Sequence, residues 1–339
     1  MSEQMNRRDV IKNTATLAAA AALPACGGSD EPVARPAGVP VGPYGADSTA
    51  EEVTAGLDLT GKTVVITGAN SGLGFETARV LAMRGANIIG TGRTLEKAEK
   101  AAEAIDGQVT PLVLELSDFD SVNNCAAQIR AMDIPLDILI CNAGIMALPE
   151  LEQVNGIERQ FVVNHLGHFA FTTQLVDQVK AAEQGRIISV SSMGHLWAPE
   201  AGIELDNLSG ERDYSPNKMY GQSKLANGLF AFELARRLQG TRATSNAVHP
   251  GIINTNLGRH FEWWKRMAAN LIGWTFMKST EAGAATQCYV ASSPELAKVS
   301  GYYFADCNPE VPGALMNDPA LAEALWDVSI ELTGVNPDV

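Results

Sequence analysis

The feature that most restricts the fold of this chain is a regular alternation of short apolar runs with segments of helical periodicity. Continuous apolar runs of this length are typical of strands buried on both faces. The runs are Thr63–Thr67, Asn87–Thr91, Pro111–Leu116, Leu136–Cys141, Arg186–Val190, Ser245–His249 and a short seventh, Tyr302–Phe304. Helical segments between them include Phe75–Met83, Leu95–Ile105 and Lys224–Leu238. The alternation predicts right-handed βαβ units in a single doubly wound α/β domain, with a parallel sheet of about seven strands flanked by helices.

Composition divides the chain into three parts. Residues 57–335 carry the strand and helix pattern and are predicted to form the folded domain. Residues 27–56 are rich in Gly, Pro, Ala and acidic side chains, which is typical of a flexible linker. Residues 1–26 have the basic start and short apolar run of an export signal.

The export signal has two recognisable parts. Asn6–Lys12 (NRRDVIK) resembles the twin-arginine export motif, which predicts a periplasmic or membrane-anchored protein. Leu23–Gly27 (LPACG) resembles a bacterial lipobox in which Cys26 would carry the lipid, although Pro24 departs from that pattern. The alternative interpretation is a disordered tail on a cytoplasmic protein.

Charge and cysteine spacing exclude other classes. The net charge of −14 argues against binding to nucleic acid. The five cysteines are scattered, without CxxC pairs, and therefore predict neither a disulfide framework nor a metal site. Apart from Cys26, we expect them to be small buried apolar side chains.

A glycine-rich turn, Thr67–Gly74 (TGANSGLG), follows the first predicted strand and leads into a helix expected to begin at Phe75. Glycines at such a turn let backbone N–H groups approach a pyrophosphate at the helix N-terminus. The sequence therefore predicts nucleotide binding by Gly68, Asn70, Ser71, Gly72, Leu73 and Gly74.

The residue after the second strand indicates which nucleotide binds. An acidic residue there would bind the ribose 2′-OH of NAD, whereas an arginine suits the 2′-phosphate of NADP. This chain has Arg93 and no acid at that point, so NADP(H) is favoured over NAD(H). The alternative interpretation of Arg93 is an ordinary surface side chain.

Three further side chains form a candidate catalytic set. Tyr220 and Lys224 are four residues apart and therefore share one helix face. A nearby cation favours the phenolate of a tyrosine, which would suit Tyr220 to proton transfer. Ser192 follows the fifth strand, at the sheet edge where doubly wound folds bind ligands, and its hydroxyl can hydrogen-bond a substrate carbonyl.

Together these motifs make the chain resemble a short-chain dehydrogenase/reductase with a Rossmann fold over roughly residues 48 to 334. Cys141–Gly144 (CNAG) is similar to the NNAG motif of that family, and Asn164 falls on its catalytic asparagine. The resemblance implies that cofactor is also contacted by Glu115, Leu116, Asn142, Ala143, Gly144, Tyr220, Lys224, Pro250, Gly251 and Thr255. It also implies that Tyr220 is the general acid/base, that Lys224 tunes it, that Ser192 orients the oxygen and that Asn164 holds a water.

Longer stretches, among them VVNHLGHF and QSKLANGLFAFELARRL, resemble the retinol dehydrogenase and WW-domain-containing oxidoreductase branch. The expected partner is a small apolar alcohol, aldehyde or ketone, and a homo-oligomer remains open. Residues 260–277 are unusually aromatic, which fits either an apolar substrate lid, a helix packed on the body or lipid contact. His195 is expected to make a local structural hydrogen bond, with substrate contact as the alternative.

Two other functions remain open. One is a nucleotide-binding sensor or interaction protein on the same fold, and the other is a reductase of a large conjugated ligand. Export would also impose a constraint, because we expect no free NADP pool outside the inner membrane. Our hypothesis is that the enzyme binds NADP(H) tightly before export and regenerates it in place with a second substrate.

Overall fold

The computed structural model describes residues 34–253 and 278–335. The strands are β1 Thr63–Ile66, β2 Asn87–Gly92, β3 Val109–Val113, β4 Ile138–Cys141, β5 Gln153–Val154, β6 Ile157–Glu158, β7 Arg186–Val190, β8 Thr244–His249, β9 Tyr303–Ala305 and β10 Asn308–Glu310. The α-helices are α1 Ala50–Val53, α2 Gly72–Met83, α3 Leu95–Glu103, α4 Phe119–Arg130, α5 Arg159–Phe161, α6 Gly167–Thr173, α7 Val176–Ala181, α8 Pro216–Arg237, α9 Thr280–Gly283, α10 Ala285–Ser292 and α11 Pro319–Thr333. Five-residue π- and 3₁₀-helices lie at Val162–Leu166 and Met193–Trp197, and short 3₁₀ turns at Leu205–Asn207, Pro294–Leu296 and Ala314–Asn317.

The main sheet has eight strands in the order β10-β9-β8-β7-β4-β1-β2-β3. All neighbours pair in parallel except β9 and β10, and β5 and β6 form a separate antiparallel pair. The order reverses between β1 and β4, which is where a doubly wound sheet opens a crevice at its carboxyl edge. The predicted doubly wound α/β fold is confirmed.

The continuous apolar runs follow from burial on both faces of this sheet. In β1, Val64 and Ile66 belong to one buried layer with helices α2 and α10, whereas Val65 belongs to the opposite layer with α4 and α6. β4 repeats the pattern, with Ile140 in the first layer and Leu139 in the second. Alternate side chains of a strand point to opposite faces, so each face needs an apolar residue.

The structure differs from the prediction in several element boundaries and in the number of strands. The helix after the glycine-rich turn begins at Gly72 rather than Phe75, because Ser71 in extended conformation is its N-cap. The sheet has one strand more than predicted, because β10 (Asn308-Pro309-Glu310) is polar and pairs antiparallel at the edge. Prolines in sheets are confined mainly to such edges, and Pro309 carried no strand signal.

The segment predicted as a flexible linker over 27–56 packs against the domain from Val39 onward. Helix α1 has a capping box between Thr49 and Glu52, and Ala50 and Val53 are buried in the first core layer. Composition alone did not indicate this packing, because the contacts come from distant residues, such as the amide of Asn308, which donates to the Tyr44 carbonyl at 2.7 Å.

The cysteines of the described residues match the expectation from the sequence. Cys125, Cys141, Cys288 and Cys307 are buried and unpaired, as expected. Among the helices of the described residues, none has the length and apolar character needed to cross a membrane. The proposed signal and Cys26 lie outside the described residues.

Candidate active site

The glycine-rich turn leaves no room for side chains where it approaches the neighbouring strand loop. A Cβ on Gly68 would lie 3.0 Å from Ala143 Cβ, and one on Gly74 would lie 2.4 Å from the Gly68 carbonyl oxygen. Gly68 and Gly72 also have positive φ angles of 68° and 57°. The turn is thus a bare backbone cradle at the N-terminus of α2, which fits the pyrophosphate of a dinucleotide.

The hydroxyl of Thr67 fixes this cradle to the loop after β4. It accepts hydrogen bonds from the backbone N–H groups of Asn142 and Ala143 at 2.9 and 3.0 Å. Its own proton then points to His168 Nε2 at 2.8 Å. His168 is therefore the Nδ1–H tautomer, and it donates to the Asn164 carbonyl at 2.9 Å. Burial lowers the pKa of His168 to about 4, so it is neutral at neutral pH.

Asn164 lies in the π-helix Val162–Leu166, and its amide is fully engaged by protein groups. Its Oδ1 accepts from the Ile145 N–H at 2.8 Å, while Nδ2 donates to the Ile145 carbonyl and to Ser223 Oγ, both at 2.9 Å. The insertion of a π-turn is frequent at functional sites because it re-aims one residue of a helix. The backbone carbonyl of Asn164 accepts the hydrogen bond from His168 Nδ1.

Ser192 and Tyr220 meet at the carboxyl edge of the sheet. Ser192 Oγ accepts from the Gly194 N–H at 3.0 Å and lies close enough to the phenol of Tyr220 to lower its pKa. Gly194 allows this approach, because a Cβ there would lie 2.7 Å from the Tyr220 ring. Gly221 likewise contacts the backbone of Trp197, where a Cβ would lie 2.6 Å away.

The electrostatics of the Tyr220–Lys224 pair differ from the expectation. The Lys224 ammonium lies 5.7 Å from the centre of the Tyr220 ring and donates to the Val190 carbonyl at 3.0 Å. Burial raises the pKa of Tyr220 to about 12, with the nearby Ser192 hydroxyl acting in the opposite direction. Burial also lowers the pKa of Lys224 to about 8. Lysine was expected to lower the tyrosine pKa, but desolvation dominates in this buried setting.

The outer cofactor candidates lie along the same edge. Arg93 follows β2 directly and is exposed. It stands at the position where an NAD-binding protein would have an acidic residue. Glu115 Oε1 accepts from both the backbone and the hydroxyl of Ser117, at 3.1 and 2.7 Å, so this oxygen is turned toward its own loop. The Leu116 carbonyl faces Gly167, where a Cβ would lie 2.4 Å from its oxygen.

The remaining predicted positions complete the picture. Gly144 is confined between Asn164 and Lys224, since a Cβ would lie 3.2 Å from Asn164 Oδ1 and 3.5 Å from Lys224 Nζ. Gly251 has a positive φ of 94°, and a Cβ there would collide with Lys278. Pro250 precedes it at the end of β8, while Thr255 and residues 260–277 lie outside the described residues.

Sequence reasoning missed two residues that organise the site. His168 connects Thr67 to Asn164, and Ser223 connects the Asn164 amide to the Tyr220 carbonyl, to which it donates at 2.8 Å. Their signal was only that both polar side chains fall in otherwise apolar, buried segments. His195 makes the expected local hydrogen bond to the Ser192 carbonyl, and it also accepts a long-range hydrogen bond from the Gly313 N–H.

The fold, the glycine cradle and the group of Ser192, Tyr220 and Lys224 are together typical of a nucleotide-dependent oxidoreductase. The short chain dehydrogenase family matches residues 62–266, and the chain belongs to this family.

Relatives of known name cover most of the chain. It is 43% identical over 301 residues to the short-chain dehydrogenase TIC 32 A, chloroplastic, of Brassica napus, covering 85% of this chain and 94% of that protein. It is 42% identical over 288 residues to human retinol dehydrogenase 13, covering 82% and 86% of the two chains.

Among solved structures, an uncharacterised protein from Mycobacterium paratuberculosis superposes with a TM-score of 0.70 at 35% identity, covering 85% of this chain and 98% of that one. The two proteins therefore share their fold over most of this chain.

Proposed function

We propose that this protein is an NADP(H)-dependent oxidoreductase acting between an alcohol and the corresponding aldehyde or ketone of an apolar substrate. The observation that carries the proposal is the convergence of Ser192, Tyr220 and Lys224 beside the bare glycine cradle, at the carboxyl edge of the sheet. A protein that only binds nucleotide has no use for a buried acid/base group next to the cofactor.

In this mechanism the bound nicotinamide supplies or accepts the hydride. Tyr220 donates its proton to the substrate oxygen during reduction, and its raised pKa in the buried site keeps the phenol protonated before the reaction. The Ser192 hydroxyl hydrogen-bonds the same oxygen and develops its strongest interaction as charge accumulates there. Lys224, charged below its pKa of about 8, stabilises the phenolate that remains. Asn164 supports the proton relay through its backbone carbonyl, which accepts from His168 and has a second lone pair for a water, whereas its amide bonds Ile145 and Ser223.

The preference for NADP(H) rests on Arg93, whose exposed guanidinium follows β2 where an NAD enzyme would place an acid. In the Arg93→Ala enzyme the KM for NADPH should therefore rise roughly 10-fold or more, while the KM for NADH should change little. Arg130→Ala, which removes an exposed arginine from α4, is the matched control. An equal loss with both nucleotides would contradict the preference for NADP.

The apolar substrate is supported by exposed apolar side chains around the catalytic group. Leu196 and Trp197 follow Ser192 and are 61% and 38% exposed, while Ile252, after Gly251, is 46% exposed. The Trp197 ring lies 6.2 Å from that of Tyr220. Several relatives are named retinol dehydrogenases, and retinol is a long apolar alcohol that would suit such a surface.

The test is turnover by the purified protein. NADPH oxidation is followed with decanal, all-trans-retinal, a ketosteroid, a quinone and a linear tetrapyrrole. We expect reduction of the apolar aldehydes. Tight NADPH binding with no turnover of any carbonyl would favour the nucleotide sensor, and turnover of the tetrapyrrole alone would favour a reductase of large conjugated ligands.

We also propose that Arg7 and Arg8 direct twin-arginine export and that the enzyme carries its NADP(H) with it. This route exports folded proteins, so a nucleotide loaded in the cytoplasm can travel inside the domain. Fractionation of cells making the full chain, followed by mass analysis of released nucleotide, tests both points. Purely cytoplasmic protein would refute export, and exported protein without nucleotide would refute the retained cofactor.

Incorporation of labelled fatty acid, lost in Cys26→Ser, tests lipidation.

A further inference from the structure

His195 forms a bridge between Ser192 and the loop that follows β10. It is buried in the 3₁₀-helix Met193–Trp197, three residues after Ser192. One ring nitrogen, Nδ1, lies 2.7 Å from the Ser192 carbonyl oxygen, and the other, Nε2, accepts from the Gly313 N–H at 3.1 Å. The ring thus connects the end of a central strand to the loop that follows β10, 118 residues further along the chain.

The hydrogen bonds define the protonation state of this ring. The Gly313 N–H can only donate, so Nε2 must be unprotonated and Nδ1 carries the proton that goes to Ser192. Burial lowers the pKa of His195, which keeps the imidazole neutral at neutral pH and is consistent with this assignment. Both nitrogens are therefore occupied by protein groups, and His195 has no free nitrogen to offer a substrate.

The bridge acts on the backbone that aims the Ser192 hydroxyl. The Ser192 carbonyl accepts from both the backbone N–H and Nδ1 of His195, and Ser192 Oγ accepts from Gly194. Ser192 is therefore held at both its backbone and its side chain, with its hydroxyl beside Tyr220.

The other end of the bridge rests on a supported loop. The Gly313 carbonyl accepts from the Met316 N–H at 2.9 Å, and a Cβ on Gly313 would lie 2.8 Å from the Leu196 side chain and 3.2 Å from His195 Nε2. The His195 ring also packs edge-on against Tyr303 of β9, with 5.5 Å between ring centres. Gly313 is therefore held in place beside the exposed Leu196.

We propose that His195 is a positioning residue, which holds Ser192 in its productive orientation by tying it to the loop at 311–313. This proposal rests on the proposed oxidoreductase function, since it assigns the bridge a role in turnover. His195 acts through Ser192 and does not itself contact the reacting atoms.

A double-mutant cycle tests the assignment. His195→Ala should lower kcat for the best aldehyde about tenfold, because small displacements of a positioned group are costly. Ser192→Ala should lower it by roughly 100-fold. If His195 acts through Ser192, adding His195→Ala to Ser192→Ala causes no further loss in kcat. A further tenfold loss in the double variant, or a normal kcat in His195→Ala, would overturn the proposal.

Amide hydrogen exchange tests the hydrogen bond between His195 and Gly313 independently of enzyme activity. The peptide containing Gly313 should exchange faster in His195→Ala and in His195→Asn, whose amide reaches only toward Ser192. It should stay protected in His195→Gln, whose amide oxygen can take the place of Nε2. Unchanged exchange in His195→Ala would overturn the bridge. If the wild-type protein reduces no carbonyl, the proposed function fails, whereas this exchange experiment still reports on the bridge.

Discussion

At the scale of single residues, the candidate site keeps an ammonium in a buried position. Lys224 is buried, donates to the Val190 carbonyl and has its pKa lowered to about 8 from 10.5 by desolvation. The folded state therefore disfavours the charged form relative to the unfolded chain. Such a cost is typical of functional groups that are retained for chemistry rather than for stability.

Lys224→Met should therefore stabilise the protein while removing activity. Below pH 8 the variant should gain roughly 1–3 kcal/mol in the free energy of unfolding, because a buried charge is lost. The wild-type chain binds more protons unfolded than folded between pH 8 and 10.5, so its stability rises with pH there and the gap narrows. Urea unfolding at pH 7 and pH 10 measures the effect.

The control for this substitution is Lys218→Met in the same helix, α8. Lys218 pairs with Glu204 at 3.2 Å and is partly exposed, so its loss should leave stability unchanged or slightly lower. A Lys224→Met protein less stable than wild type at pH 7 would contradict the buried-cation argument.

At the scale of elements, the catalytic geometry depends on close contact between the 3₁₀-helix Met193–Trp197 and the first turns of α8. Gly194 lies against the Tyr220 ring, and Gly221 lies against the backbone at Trp197 and Ala198. Glycine brings the two elements close enough for Ser192 to reach the phenol of Tyr220. The contact is between backbones on the Gly221 side, which cannot move aside as a flexible side chain can.

Gly221→Ala should therefore separate the two elements and lower kcat by at least about tenfold. Gly228→Ala, the same substitution two turns later in α8, places its Cβ nearest to the Met316 side chain rather than to backbone, and should leave kcat near the wild-type value. Turnover and thermal stability of both variants provide the comparison. Equal kcat values in the two variants would show that the close contact does not position the catalytic groups.

Sequence patterns predicted the regular elements better than the connections between them. The run Arg186–Val190 became β7 without a change of boundary, because every one of its residues is buried. The π-helix at Val162–Leu166 left no sequence signal, since all five of its residues are buried and no polar face marks the shift in helical phase. The packing of residues 39–53 and the bridge from His195 to Gly313 depend on partners more than 100 residues away, which local patterns cannot reveal.

At the scale of the whole molecule, the core contains histidines that fold in their neutral form. Burial lowers the pKa of His165 to about 3 and those of His168 and His249 to about 4. His165 and His168 lie close together, on the π-helix and at the start of α6, whereas His249 is the last residue of β8. Protonation of any of them conflicts with burial, so they connect the stability of the entire fold to pH.

Stability should fall as the pH drops below 6.5, where the unfolded chain begins to bind protons that the folded chain excludes until about pH 4. At pH 5 the loss should be roughly 1–2 kcal/mol for each of these histidines. Urea midpoints at pH 7.5 and pH 5 measure the loss. His165→Asn should reduce this pH dependence, and a wild-type midpoint that does not change between the two pH values would contradict the argument.

The central claim is that Tyr220 is the acid/base of an NADP(H)-dependent carbonyl reduction, and Tyr220→Phe tests it most directly. The substitution removes only the hydroxyl beside Ser192 and leaves the glycine cradle intact. NADPH affinity, measured by calorimetry, should stay within about twofold of wild type, while the rate of aldehyde reduction should fall at least about 100-fold. Unchanged affinity with turnover retained would contradict the account.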